Sequence, residues 1–364
     1  MRISLYVRNH NSGPSCYYRA YQYVNNKRLD GCDIICHDLM NDMMFKVNMS
    51  VRTGIIRKIT MALLYILMSL RMLAFVISDL ISRPDVVFVS RSTVPRRTPL
   101  YIRPLLKKLY KKSRVIWDFD DNILYSGEIS KYESELLIKN SDHIIVTNEY
   151  LKDTLPDTVH DKVSLLPTTD GDFSKINIKK SVENRCKSLK EQLRIVWVGT
   201  SANLENVKRI MPEIEEFAKQ SDVPVMMTVV CNTPFIYNSK IDNLMVSSVK
   251  WSRKAAIKAI SHAHVGIMPL LDNEFTRGKG GFKLIQYMAA GVPVIASPVG
   301  FNLEIVNDSF GILAEDDEYS TSLYKILNDT EKWAKMAFAS YDAYNEGFLY
   351  NKQLDIIKDL IFSY

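Results

Sequence analysis

Short apolar runs alternate with amphipathic stretches along most of the chain. ISLYVR (3–8), CDIIC (32–36), DVVFVS (85–90), RVIWDF (114–119), HIIVT (143–147) and VSLLP (163–167) read as strands. DVVFVS is a continuous β-branched run, the mark of a strand covered on both faces. Helices are expected after the GPS turn at 13–15, over an apolar stretch ending near Ser82, and over the basic segment 99–112. Strand, crossover, strand in repetition means a parallel sheet with helices on both sides. Residues 171–192 hold few large apolar side chains and read as a linker. The alternation then restarts with LRIVWVG (193–199), a helix over 204–220, VPVMMTVV (223–230), LMVSSV (244–249), a helix over 252–262 and HVGIMPL (264–270). The loop LDNEFTRGKGG follows, then the helix FKLIQYMAA, a GVP turn, VIAS and GILA (311–314). The expected division is 1–185, 186–345 and a closing helical segment 346–364.

The length of 364 residues agrees with two cores, since a single one rarely serves so long a chain. Hydrophobic content of 47% with 24% charged residues is that of a folded soluble protein. A net charge of +6 favours anionic partners such as phosphates or an acidic membrane. Nucleic acid is not an expected partner, because the basic residues do not interleave with aromatics. Five scattered cysteines (Cys16, Cys32, Cys36, Cys186, Cys231) read as reduced thiols of a cytoplasmic protein. MRISLYVRNH lacks the apolar segment and cleavage site of a signal peptide.

Residues 61–81 are long and apolar enough to span a bilayer, but Arg71 stands at the centre and Asp79 near the end. Arg52, Arg57 and Lys58 precede the run, as on a helix lying in the headgroup layer. Two readings stay open for 52–82: attachment to a membrane surface, or burial in a domain core.

The segment RGKGGFKLIQYMAAGVPVIASPVG (277–300) sets Arg277, Lys279 and Lys283 around the Gly280–Gly281 pair at a helix start. Loose amides, glycine-opened backbone and cations together suit a phosphate; the plain alternative is a solvated basic loop. In WDFDDNI (117–123), Asp118, Asp120 and Asp121 crowd the carboxyl end of a strand. They are candidates to accept hydrogen bonds from hydroxyls or orient a nucleophile, with helix capping or a metal site as alternatives. His10, Asn11 and Gly13 sit on the first βα loop, and Arg19 on the next helix is a candidate for an anionic group. His264 reads as structural.

KGGFKLIQYMAAGVPVIASPVGFNLEIV closely resembles the signature of the group 1 glycosyltransferases, family four of the retaining nucleotide-sugar enzymes. GPSCYYR, VIWDFDDNI, SDHIIVTNEYL, LLPT and RIVWVGT extend the resemblance in the family's order. The resemblance implies the α/β GT-B fold: two Rossmann-like, doubly wound parallel-sheet domains facing a cleft. It assigns the acceptor to the N-terminal half, with His10, Asn11, Gly13 and Arg19. It assigns a UDP- or GDP-sugar donor to the C-terminal half, where the expected contacts in this chain are Thr200, Ser201, Val249, Trp251, Arg277, Lys279, Gly280, Gly281, Gln286, Gly300 and Asn302. Asp118, Asp120, Asp121 and Lys283 are the expected catalytic residues.

The acceptor implied is lipid-linked or a cell-surface polysaccharide, as in lipopolysaccharide or capsule synthesis at the inner face of a membrane. No cofactor and no metal are expected. The match is incomplete: the family's two glutamates, eight positions apart, are Gly278 and Gln286 here, and the usual Arg and Lys after the first C-terminal strand give way to Thr200 and Ser201. These losses motivate one rival, a catalytically silent sugar-nucleotide binder that partners another transferase. A second rival is a sugar-nucleotide epimerase on the same fold. No GxGxxG follows any strand, which argues against a nicotinamide dehydrogenase.

Overall fold

Strand β3 (Val86–Ser90) is buried at every residue, and it lies inside a sheet whose pairs are all parallel. The structure is a computed structural model and describes residues 1–25, 29, 31–50 and 54–362. Arg52, expected beside the apolar helix, lies outside the described residues. The chain divides into two units, one of residues 1–168 with 353–364, the other of 169–352.

In the first unit, β1 (Arg2–Val7), β2 (Asp33–Asp38), β3, β4 (Arg114–Phe119), β5 (His143–Val146) and β6 (Val163–Leu165) form a sheet in the order β2-β1-β3-β4-β5-β6. The order reverses between β1 and β3, so the ligand crevice of this doubly wound sheet lies at their carboxyl ends. Alternation across the sheet fixes which side chains meet which helix. Tyr6, Val87, Val89, Trp117 and Phe119 pack on α1 (Gly54–Ser82), α2 (Arg103–Tyr110) and α3 (Lys131–Asn140). Asp118, between Trp117 and Phe119, therefore points to the opposite face.

The second unit repeats the plan with β7 (Leu193–Gly199), β8 (Val225–Cys231), β9 (Leu244–Lys250), β10 (Val265–Met268), β11 (Val294–Ala296) and β12 (Gly311–Leu313), ordered β12-β11-β10-β7-β8-β9. Here the reversal falls between β10 and β7. Ile195 and Trp197 face one core, while Val196 and Val198 face the other.

Residues 171–192 are not a linker. Most of them form the short 3₁₀ turn Gly171–Lys175 and helix α4 (Ile178–Ser188). Val182 of α4 joins a core with Trp333 and Ala337. Arg185 is buried, donates to the carbonyls of Ala263 and Ala290 at 3.1 and 2.8 Å, and lies over the Trp333 ring. Further helices are α5 (Leu204–Gln220), α6 (Arg253–His262), α7 (Phe282–Ala289), α8 (Tyr319–Leu327), α9 (Thr330–Gly347) and α10 (Tyr350–Phe362). The division of the chain falls inside α10, whose last turns group with the first unit, where Arg114 donates to the Ile361 carbonyl. All five cysteines are free thiols.

Candidate active site

The crevice of the second unit is built around α7. Gly281 precedes this helix with φ of 61°, a left-handed turn that glycine adopts without strain. A Cβ there would come within 2.5 Å of Ile305 Cδ1. Tyr287 anchors the helix to both central strands: its hydroxyl accepts from the Val198 N–H at 3.2 Å and donates to the Ile267 carbonyl at 3.3 Å. Its ring lies against Gly266, where any side chain would collide with it. The anchoring sets Lys283, in the first turn, beside the carboxyl end of β7. Lys283 Cε is 3.0 Å from where a Cβ on Gly199 would stand, and Nζ is 5.8 Å from the Trp197 ring centre.

The other two expected cations are engaged separately. Arg277 is half-exposed and bonds Asp272 at 2.6 and 2.9 Å, with Glu274 at 3.7 Å. Lys279 lies over the Phe275 ring at 4.6 Å. The expected three-cation clamp is therefore divided, because Asp272 and Glu274 on the same loop neutralise Arg277. Gly300 meets the Arg277 backbone: a Cβ at Gly300, with φ of 54°, would lie 2.4 Å from the Arg277 carbonyl oxygen. Gly280 is buried beside Gly281.

Thr200 and Ser201 are exposed on the loop after β7, tied to the loop after β8 by the Ser201 N–H donating to Asn232 Oδ1 at 2.8 Å. Val249 and Trp251, at the end of β9, are half-buried against the core. Two expected donor residues turn inward. Asn302 is 1% exposed and donates to the Ser297 carbonyl, holding its own loop. Gln286 is 4% exposed and donates its amide N–H to Asp170 Oδ2 at 2.8 Å, committing that N–H inside the fold. Asp170, which sequence reasoning missed, puts a carboxylate beside the position where the family carries its second glutamate.

In the first unit the three acids separate by face. Asp118 and Arg19 form a buried ion pair, and Arg19 also donates to the Leu166 carbonyl and to Thr168 Oγ1. Their side chains are 0% and 1% exposed, which removes Asp118 from the catalytic set and Arg19 from contact with an acceptor phosphate. Burial pushes the Asp118 carboxyl up to about 6 against the pull of Arg19.

Asp120 and Asp121 remain at the crevice, held by Arg91 at 2.7 and 3.0 Å. Arg91 also binds Glu128 at 2.8 Å, and Arg8 pairs with the same Glu128. Burial opposes the charge on Glu128, yet Arg91 and Arg8 hold its carboxyl below the usual range. The Arg91 backbone has φ of 68°, pinned by its N–H on the Asp118 carbonyl and by Trp117 Nε1 donating to its own carbonyl. Arg91, Arg8 and Glu128 were missed; the legible signal was an arginine directly after the buried run DVVFVS.

On the first βα loop, His10 Nδ1 meets Asp38 Oδ2 at 2.7 Å, and the ring lies 4.4 Å from Tyr21. Asn9 Oδ1 accepts from the N–H groups of Asn11 and Ser12, and a Cβ at Gly13 would stand 2.8 Å from the Asn9 carbonyl. His264 is fully buried, with Nδ1 accepting from the Arg194 N–H at 3.0 Å. A cavity of 320 Å³ lined by Lys180, Arg185, Arg194 and His262 lies at the opposite, amino-terminal edge of the second sheet and is not the crevice described here.

Comparison with known proteins defines the fold. Among solved structures, Anabaena HepE in complex with UDP and glucose superposes with a TM-score of 0.66 at 10% identity over all of both chains. Sucrose-phosphate synthase from Thermosynechococcus elongatus gives 0.66 at 12% over 99% of this chain and 98% of its own. A glycosyltransferase from Rickettsia africae gives 0.63 at 12% over 100% and 99%. No curated protein matches by sequence. The fold is that of the GT-B glycosyltransferases. Residues 192–329, within the second unit, match the family described as Glycosyl transferases group 1.

Proposed function

We propose that the protein transfers a sugar, with retained anomeric configuration, from a UDP- or GDP-sugar to a lipid-linked or cell-surface saccharide. The observation that carries this reading is Lys283, fixed by the Tyr287 anchor against Gly199 at the reversal point of the donor sheet. A diphosphate at that point would have its growing negative charge met by a preset ammonium as the sugar–phosphate bond breaks. The acceptor hydroxyl attacks the anomeric carbon from the side the diphosphate leaves, and a leaving phosphate oxygen takes the hydroxyl proton. No separate base is needed, and the reading calls for no metal. Asp120 and Asp121, paired with Arg91, would hold acceptor hydroxyls. HepE, bound to UDP-glucose in one of its structures, makes that sugar nucleotide the first donor to test.

Replacing Lys283 with Ala should cut turnover by about a hundredfold or more, the loss typical when one charge-stabilising group is removed. The unfolding midpoint should barely move, because the ammonium is not part of the core. Nucleotide release, followed with and without membrane extract as the acceptor source, measures the first effect and thermal unfolding the second. Unchanged turnover would overturn the role of Lys283. Donor stabilisation without any release would favour the silent binder suggested by Gly278 and Gln286.

A further inference from the structure

Helix α1 carries two faces of opposite fate. Leu64, Met68, Met72 and Val76 are buried in the core of the first unit. Asp79 is buried with them, taking hydrogen bonds from Tyr6 at 2.6 Å and His37 at 3.0 Å. On the other side Ile55, Ile59, Leu63, Ile66, Leu70 and Ile77 are each 43–74% exposed. At 100° per residue these six positions fall within one narrow stripe, opposite the buried set. The exposed face carries no acidic side chain, since Asp79 is the sole acid of the helix and is buried.

Basic residues flank the stripe. Lys58 is exposed near the start of α1. The neighbouring loop is tied to the helix by the Tyr65 hydroxyl donating to the Arg97 carbonyl at 3.0 Å, and it exposes Arg96, Arg97, Leu100 and Tyr101.

We infer that α1 lies flat on an anionic lipid bilayer, with its outer stripe among the acyl chains and Lys58, Arg96 and Arg97 at the headgroups. An apolar stripe of this length between cations, with an aromatic beside it, is the composition of an interfacial helix. A second copy of the chain fits less well, because pairing the stripes would bring like charges together. A spanning helix is excluded by the packing, since crossing the bilayer would pull Leu64, Met68, Met72 and Val76 out of the core and strand Asp79 in hydrocarbon.

Flotation of the full chain with vesicles of phosphatidylcholine, alone or with phosphatidylglycerol, tests the inference without any sugar donor, so its failure would leave the transferase reading untouched. The protein should rise with the anionic vesicles at low salt, less at high salt, and be stripped by alkaline carbonate. The I66E/L70E variant, changed only on the outer face, should partition roughly tenfold less or worse. Its thermal midpoint should match that of the wild type. The R96E/R97E variant should lose most of the gain from phosphatidylglycerol, each basic side chain near a charged surface being worth about fivefold. Four outcomes would overturn the inference: no flotation, equal flotation of I66E/L70E, resistance to carbonate, or a dimer in sedimentation that I66E/L70E dissociates while no vesicle binding is seen.

Discussion

Arg19 and Asp118 show how a candidate catalytic group can be structural. Replacing Arg19 with Met would leave a carboxylate buried without its cation, a loss of about 3–5 kcal/mol. The urea midpoint should fall accordingly. His264 gives a pH test. Its pKa is lowered from 6.5 to about 3, mainly by burial and then by Arg194 and Arg185. The native imidazole therefore stays neutral while the unfolded one takes up a proton below 6.5. Stability from this residue is complete above that value and is lost as the pH falls toward 3, by at most about 1.4 kcal/mol per pH unit. Asp118 works in the other sense between its ordinary value of 3.8 and about 6, where acidification favours the native state. Comparing His264→Asn with the wild type at pH 7 and 5 cancels Asp118, and the wild type should lose stability relative to the variant on going to pH 5. At this scale the sequence exposed residue types but not their partners. Reading Asp118 as catalytic ignored that Ile116 and Asp118 share a strand face, and reading Arg277 as a phosphate ligand ignored Asp272 and Glu274 within one turn of chain.

Among the elements, the start of α7 is the sharpest point of constraint. Gly281→Ala would force a side chain into a left-handed backbone and within 2.5 Å of Ile305 Cδ1. The expected cost is about 1–3 kcal/mol, read by chemical denaturation, together with weaker donor binding as Lys283 shifts. The buried strands were legible because their apolar runs are continuous, and β3, β4, β7 and β10 appear within a residue or two of expectation. Helix α4 was hidden for a physical reason. Its inward stripe of Ile178, Val182, Arg185 and Leu189 has the right spacing, but the buried arginine breaks the hydrophobic signal. The apolar run of α1 was visible, yet only packing could show that one face enters the core while the other stays outside.

For the whole molecule, the restart of strand and helix alternation after residue 192 marks two α/β units in the sequence itself. The return of the chain's last turns to the first unit was implied by the family resemblance rather than by pattern. Donor binding should register as global stability: a sugar nucleotide at a hundred times its Kd adds about 2.7 kcal/mol. A thermal-shift series of UDP- and GDP-sugars should show one base clearly favoured, and equal responses to both would argue against a defined nucleoside pocket. The contact between Gly300 and the Arg277 carbonyl has a wider meaning. Because the two loops interlock through main-chain atoms, residue 277 can exchange its side chain with the Gly300 contact kept, losing its ion pairs to Asp272 and Glu274. On the proposed function, randomising that one position would vary the chemistry offered to a donor while the main-chain contact stays, which makes it a natural starting point for redirecting donor choice.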